Sequence, residues 1–134
     1  MEKKVLMIIN DQKEANQLSL FLSDNKYLSH TIDRLEGLDQ IINKFSCNTA
    51  ILDLDSISVD NRALRELTVK YSQICFLCMS KDRFHPELKD AICYHVYACM
   101  NKPLDNDELL YWLRCIEGNE SDVTSNTKNM KEPN

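Results

Sequence analysis

The sequence predicts an α/β fold: a doubly wound, five-stranded parallel sheet with helices on both faces. Three observations lead there. Short, continuous apolar runs rich in β-branched residues recur along the chain, as in strands buried on both faces. Between them lie longer stretches with apolar residues at helical spacing. The two patterns alternate five times, which is the signature of a parallel sheet built with right-handed crossovers.

Val5 to Ile9 reads as the first strand. NDQKEANQLSLFLSDN follows, with Ala15, Leu18, Phe21 and Leu22 on one helical face and Asp11 or a neighbour as the cap. YLSHTID (27–33) is a weaker strand, and Leu38, Ile41, Ile42 and Phe45 mark a second helix. Thr49 to Leu54 is a third strand, Leu64 and Leu67 mark a short third helix, and Ile74 to Met79 is a fourth strand. Pro86 opens a fourth helix with Leu88, Ala91 and Ile92 inside, since proline is tolerated in a first turn. VYACMN (96–101) is the fifth strand, ended by Lys102-Pro103. Asp105 or Asn106 then caps a last helix with Leu109, Trp112, Leu113 and Ile116 inward.

A chain of 134 residues is most simply one domain and can bury a core without disulfide staples. We place that domain at residues 1–117. Residues 118–134 are polar, almost free of large apolar groups, and expected to be a disordered tail or linker. No internal repeat is evident. With 16 Lys and Arg against 21 Asp and Glu, the net charge of −5 argues against direct nucleic-acid binding and against an anionic membrane surface. No apolar run reaches the ~18–20 residues that span a bilayer. MEKKVLMIIND has a short apolar run, an acid directly after it and no small-residue cleavage site, so it reads as a strand, and the chain as cytoplasmic.

The six cysteines are expected to be free. Cys75 and Cys78 form a CxxC, but inside the apolar run ICFLCM, and no second pair or nearby histidines complete a zinc set. Small buried hydrophobes are the better reading. His30, His85 and His95 are scattered and lack catalytic partners in the sequence.

The third strand poses the functional question. AILDLDSISVD runs from apolar residues straight into Asp53, with Asp55 two positions on. A buried carboxylate is costly unless it is paired, hydrogen-bonded or bound to a metal. In a doubly wound sheet, ligands sit beyond the carboxyl ends of the strands, at the switch in strand order. Those ends carry Asn10 and Asp11, then Asp53 and Asp55, then Ser80, then Lys102. Paired carboxylates with open positions suit Mg2+. A carboxylate is also a nucleophile towards phosphorus, and a lysine neutralises the charge of a transferring phosphoryl group.

On VLMIIND, ILDLDSISVD, the Ser80 position and NKP, the sequence resembles the receiver domains of bacterial two-component response regulators over residues 3 to 116. The resemblance implies a flavodoxin-like receiver fold and a chemotaxis-regulator-like domain. It implies Asp53 as phosphoacceptor, Asp11 as a Mg2+-binding acid and the Asp55 backbone carbonyl as a metal ligand. It also implies Ser80 as the hydroxyl that meets the phosphoryl group and Lys102 as the lysine that contacts it. A histidine kinase or phosphotransfer protein would be the donor. A downstream effector protein or effector domain would read the output through the fourth helix, fifth strand and fifth helix, a surface that also offers a homodimer contact. Tyr94, Tyr97 and Tyr111 are expected on that surface.

The sequence departs from the family pattern in places. Asn10 stands where receivers carry a first acid, leaving weak metal ligation or none from that position. Ile57 and Asn61 replace the usual Pro and Gly of the loop after the acceptor, and His95-Val96 replaces a Gly-containing turn. Cys99 holds the place of the fifth-strand aromatic, with Tyr97 expected on the same face by strand alternation. These departures keep a second reading open, a degenerate receiver that binds partners without phosphorylation. The acids Asp55, Asp60 and Asp82 read chiefly as solvated loop residues, with Asp55 and Asp82 placed to tune water access to a phosphoaspartate. A flavin carrier would need a Ser/Thr/Gly-rich phosphate loop after the first strand, and NDQKEAN is nothing like one.

Overall fold

In the computed structural model, residues 3–81 and 96–121 are described. The order is β1 (Lys4–Ile8), α1 (Gln12–Asp24), β2 (Leu28–Ile32), α2 (Leu38–Phe45), β3 (Thr49–Asp53), α3 (Asn61–Lys70), β4 (Cys75–Ser80), β5 (Ala98–Asn101) and α4 (Asn106–Ser121). The fourth helix expected from Pro86 falls in 82–95, outside the described residues, as do Asp82, His85, Cys93, Tyr94 and His95.

The strands form one parallel sheet in the order β2-β1-β3-β4-β5. Alternation along each strand divides the core in two. Leu6, Ile8, Ala50, Leu52, Phe76 and Cys78 pack with Leu38 of α2 and Leu64 of α3. Val5, Met7, Ile51, Leu77, Met79 and Met100 face the other way, onto Ala15, Leu18 and Leu22 of α1 and Leu109, Leu113 and Ile116 of α4. Helices therefore cover both faces. β3, between β1 and β4, is buried at every position, which is why its sequence is continuously apolar up to the acid. The weaker pattern of β2 is that of an edge strand, with Leu28 half exposed.

Local chemistry accounts for the ends. Asp11 caps α1, its Oδ1 accepting the Glu14 N–H at 3.2 Å. Asp60 caps α3 in the same way, accepting the Ala63 N–H at 2.8 Å; this acid, expected to be merely solvated, satisfies one of the orphan donors of a helix start. Asp105 accepts the Asp107 N–H at 2.9 Å at the start of α4. Gly37 precedes α2 at φ 80°, a conformation that strains any residue with a Cβ. Gly118 takes no such φ, and α4 runs through it to Ser121. The helix thus crosses the boundary drawn after residue 117, because glycine in an ordinary helical conformation weakens a helix without ending it.

Of the described cysteines, Cys78 and Cys99 are buried as expected, whereas Cys47, Cys75 and Cys115 are only half-buried. Cys75 and Cys78 both lie on β4, and pack on opposite faces of the sheet. None of Cys47, Cys75, Cys78, Cys99 and Cys115 is in a disulfide, and burial pushes the Cys78 thiol well above its usual range. One expectation about β5 is corrected. Cys99 packs in the core layer of α2 and α3, whereas Tyr97 packs in the opposite layer and meets Trp112 edge-on at 5.9 Å. Tyr97 precedes the first residue of β5, where two-residue alternation no longer governs side-chain direction.

Candidate functional site

The strand order reverses between β1 and β3, so the switch point lies where these two strands end. Asp53 is the last residue of β3 and is fully buried. Beside it the chain turns sharply. Asp55 N–H donates to Asp53 Oδ1 at 3.1 Å, and Ile57 N–H donates to the Asp53 carbonyl at 3.1 Å. Leu54 and Ile57 are both buried and pin this turn into the core. Ile57, in the place of the expected proline, thus holds the loop by burial.

Lys102 answers the charge of Asp53. The Lys102 N–H donates to the Ser80 carbonyl at 3.0 Å, extending the β4–β5 pairing by one residue past Asn101. The following Lys102-Pro103 bond is cis. From there Lys102 Nζ lies 2.7 Å from Asp53 Oδ1, 2.9 Å from Glu14 Oε1 and 3.1 Å from Asp55 Oδ2. An ammonium has three protons, and here three carboxylates accept them. Burial alone would lower the Lys102 pKa. The bonds to Asp53, Glu14 and Asp55 outweigh it and hold the group above the ordinary lysine range.

Asp55 is not the freely solvated acid expected for its side chain. Its Oδ1 accepts from the buried Ser80 hydroxyl at 3.3 Å, and its Oδ2 from the Lys81 N–H at 3.0 Å. Burial pushes this carboxyl up, but the Lys81 N–H, Lys102 and Ser80 together hold it below the usual carboxylate range. Asp53 Oδ2 accepts the Ser56 hydroxyl at 2.6 Å, and Ser56 Oγ in turn accepts the Asn10 N–H at 2.9 Å.

Asp53, Asp55, Ser80 and Lys102 are therefore brought together, as the strand-end argument anticipates. Asn10 joins through its backbone, and Asp11 stands beside it as the α1 cap. Glu14 and Ser56 went unnoticed in the sequence. Glu14 lies in the first turn of α1, which faces the carboxyl edge of the sheet; Ser56 is a small hydroxyl residue three positions after a strand-end acid, where turns place such side chains.

The residues at this edge are oxygen donors, the kind a hard divalent cation takes. Glu14, Asp53 and Asp55 set three carboxylates against the single ammonium of Lys102, a local excess of negative charge. Asp11 is exposed and uses one oxygen as a cap. Among the described residues no group of three or more His, Cys, Asp or Glu side chains is gathered as a metal cage. Mg2+ does not require one, since it is commonly held by one or two carboxylates with several waters.

Comparison with known proteins gives a fold and no closer relationship. No family model matches the chain, and no curated protein matches it. Among solved structures 212 chains match. The signal receiver domain of an HD domain-containing protein from Pseudomonas fluorescens Pf-5 matches with a TM-score of 0.78 at 19% identity, over 90% of this chain and 99% of that one. A Francisella response regulator receiver domain matches with a TM-score of 0.74 at 16% identity, over 89% and 99% of the two chains. A chain from the Saccharomyces cerevisiae co-crystal of a histidine phosphotransfer signaling protein with the receiver domain of its downstream response regulator matches at 0.69 and 12% identity, over 87% and 91%. The chain has the fold of response-regulator receiver domains.

Proposed function

We propose that this chain is a receiver domain that accepts a phosphoryl group on Asp53 and switches partner binding in response. The observation that carries this reading is the buried Asp53 carboxylate at the switch point, with the Lys102 ammonium at 2.7 Å. A carboxylate oxygen of Asp53 attacks the phosphorus of a phosphohistidine donor. The P–O bond forms as the P–N bond breaks, and its electron pair returns to the imidazole nitrogen. Lys102 then neutralises the phosphoryl oxygens, and the Ser80 hydroxyl, now directed at Asp55, has a phosphoryl oxygen as an alternative acceptor. Mg2+, held by Asp11, Asp53 and the Asp55 carbonyl, with Asn10 adding little or nothing, would supply further neutralisation of the phosphoryl charge.

The donor would be a histidine kinase or a histidine phosphotransfer protein, the latter being the kind of partner in the yeast co-crystal. We place the chain in the cytoplasm, where its thiols would stay reduced. A downstream effector or a second copy would engage the surface that includes β5 and α4, where Tyr111 is exposed. No described helix is long and apolar enough to cross a membrane.

A second reading, a phosphorylation-independent interaction module, draws on the saturation of the site. Both Asp53 oxygens already hold hydrogen-bond partners, and Asn10 contributes no charge. Intact mass after incubation with acetyl phosphate and Mg2+ decides between the two. The parent gains one phosphoryl group and Asp53→Asn gains none if Asp53 is the acceptor. Folded parent protein that gains nothing at high Mg2+ is the module.

A further inference from the structure

Asp53 has no exposed surface, yet a carboxylate that shares a cation with the end of β1 must present an oxygen on that side. Oδ1 is held by Lys102 and the Asp55 N–H. Oδ2 is the remaining oxygen, and the Ser56 hydroxyl stands on it at 2.6 Å. The same hydroxyl accepts the Asn10 N–H at 2.9 Å, so Ser56 Oγ occupies the space between Asp53 and the β1 terminus. A short hydroxyl-to-carboxylate bond of this kind is charge-assisted and stronger than a neutral one.

We propose that the Ser56 hydroxyl is a built-in cover on the β1 side of Asp53, taking the oxygen that a divalent cation needs and so setting the affinity of the site for Mg2+. The inference rests on the receiver reading for its cation. Its physical basis is competition. A cation reaches Oδ2 only when the hydroxyl rotates away, and the Asn10 N–H then loses its acceptor. Ser56 is half-buried in a turn pinned by Leu54 and Ile57, so the hydroxyl can swing while the backbone stays in place.

The test is isothermal titration of Mg2+ alone into the parent, Ser56→Ala, Ser56→Thr and Asp53→Asn, each checked for folding by circular dichroism. Ser56→Ala should bind Mg2+ about tenfold more tightly, the order of change that losing one hydrogen bond to a charged group allows. Ser56→Thr, which keeps the hydroxyl, should match the parent, and Asp53→Asn should not bind. Ser56→Cys, near-isosteric and a poor donor, substitutes for the alanine variant if that one fails to fold. Unchanged affinity in the hydroxyl-deleted variant overturns the proposal. So does weaker affinity, which would make the hydroxyl a ligand, and so does an absence of binding in every variant. Acetyl phosphate labelling run in parallel reports on the acceptor separately. Labelled Asp53 with unchanged Mg2+ affinity in Ser56→Ala removes the cover and leaves the acceptor; tighter Mg2+ binding without labelling does the reverse.

Discussion

Lys102 donates its three ammonium protons to three different acids, and one of them, Asp53, is wholly inside the protein. Removing one partner of a buried pair leaves an uncompensated charge, whereas removing both is far less costly. Lys102→Met should therefore destabilise the domain by about 3–5 kcal/mol. The double variant Asp53→Asn, Lys102→Met should recover much of that loss. Urea unfolding of the three proteins at neutral pH measures both numbers, and equal losses in the single and double variants would contradict the pairing. The pH window follows from the signs. The depressed Asp55 group contributes stability above its unfolded value of about 3.9, lost as pH falls through the lower folded value. The raised Lys102 group contributes below its unfolded value of about 10.4, lost as pH rises through the higher folded value.

At the scale of the element, the start of α1 has two tasks for one residue. Asp11 caps the helix and is also the exposed carboxylate proposed to bind the cation. Substitution separates the two, because asparagine caps as well as aspartate does but carries no charge. Asp11→Ala should cost about 1 kcal/mol in the absence of metal, and Asp11→Asn almost nothing. Thermal melts in EDTA give the capping effect alone. Mg2+ titration of Asp11→Asn, which keeps the helix start, then reports the charge alone. The loop after β3 shows the same economy of position. Leu54 and Ile57 anchor it in the core, and the polar residues between them, Asp55 and Ser56, are thereby aimed at Asp53 and its neighbours.

The whole molecule depends on the central strand. β3 pairs with β1 on one side and β4 on the other, and its residues alternate between the two core layers. Ile51 has no exposed surface and packs in the layer formed with α1 and α4. Ile51→Ala should cost about 2–5 kcal/mol, the lost transfer energy plus the cavity left in a close-packed interior. A denaturant midpoint that moves by much less would mean that this layer collapses onto the gap. Because β3 ends at Asp53, such a variant also tests how rigidly the sheet presents the acid.

By itself the sequence determined the sheet and helices, because continuous apolar runs and helical spacing are local patterns that survive without a partner in view. It also pointed to Asp53, Asp55, Ser80 and Lys102, since the carboxyl ends of parallel strands converge whatever the loops do. The weak edge strand β2 was legible only faintly, because an edge strand buries less and repeats less. What the tertiary structure decided were contacts across long stretches of chain: Glu14 on Lys102, Ser56 between Asn10 and Asp53, and Tyr97 turned away from Cys99. Those depend on rotamers and on the direction in which a turn points its side chains. Neither is encoded in the spacing of residues; both are settled only when two distant segments pack together.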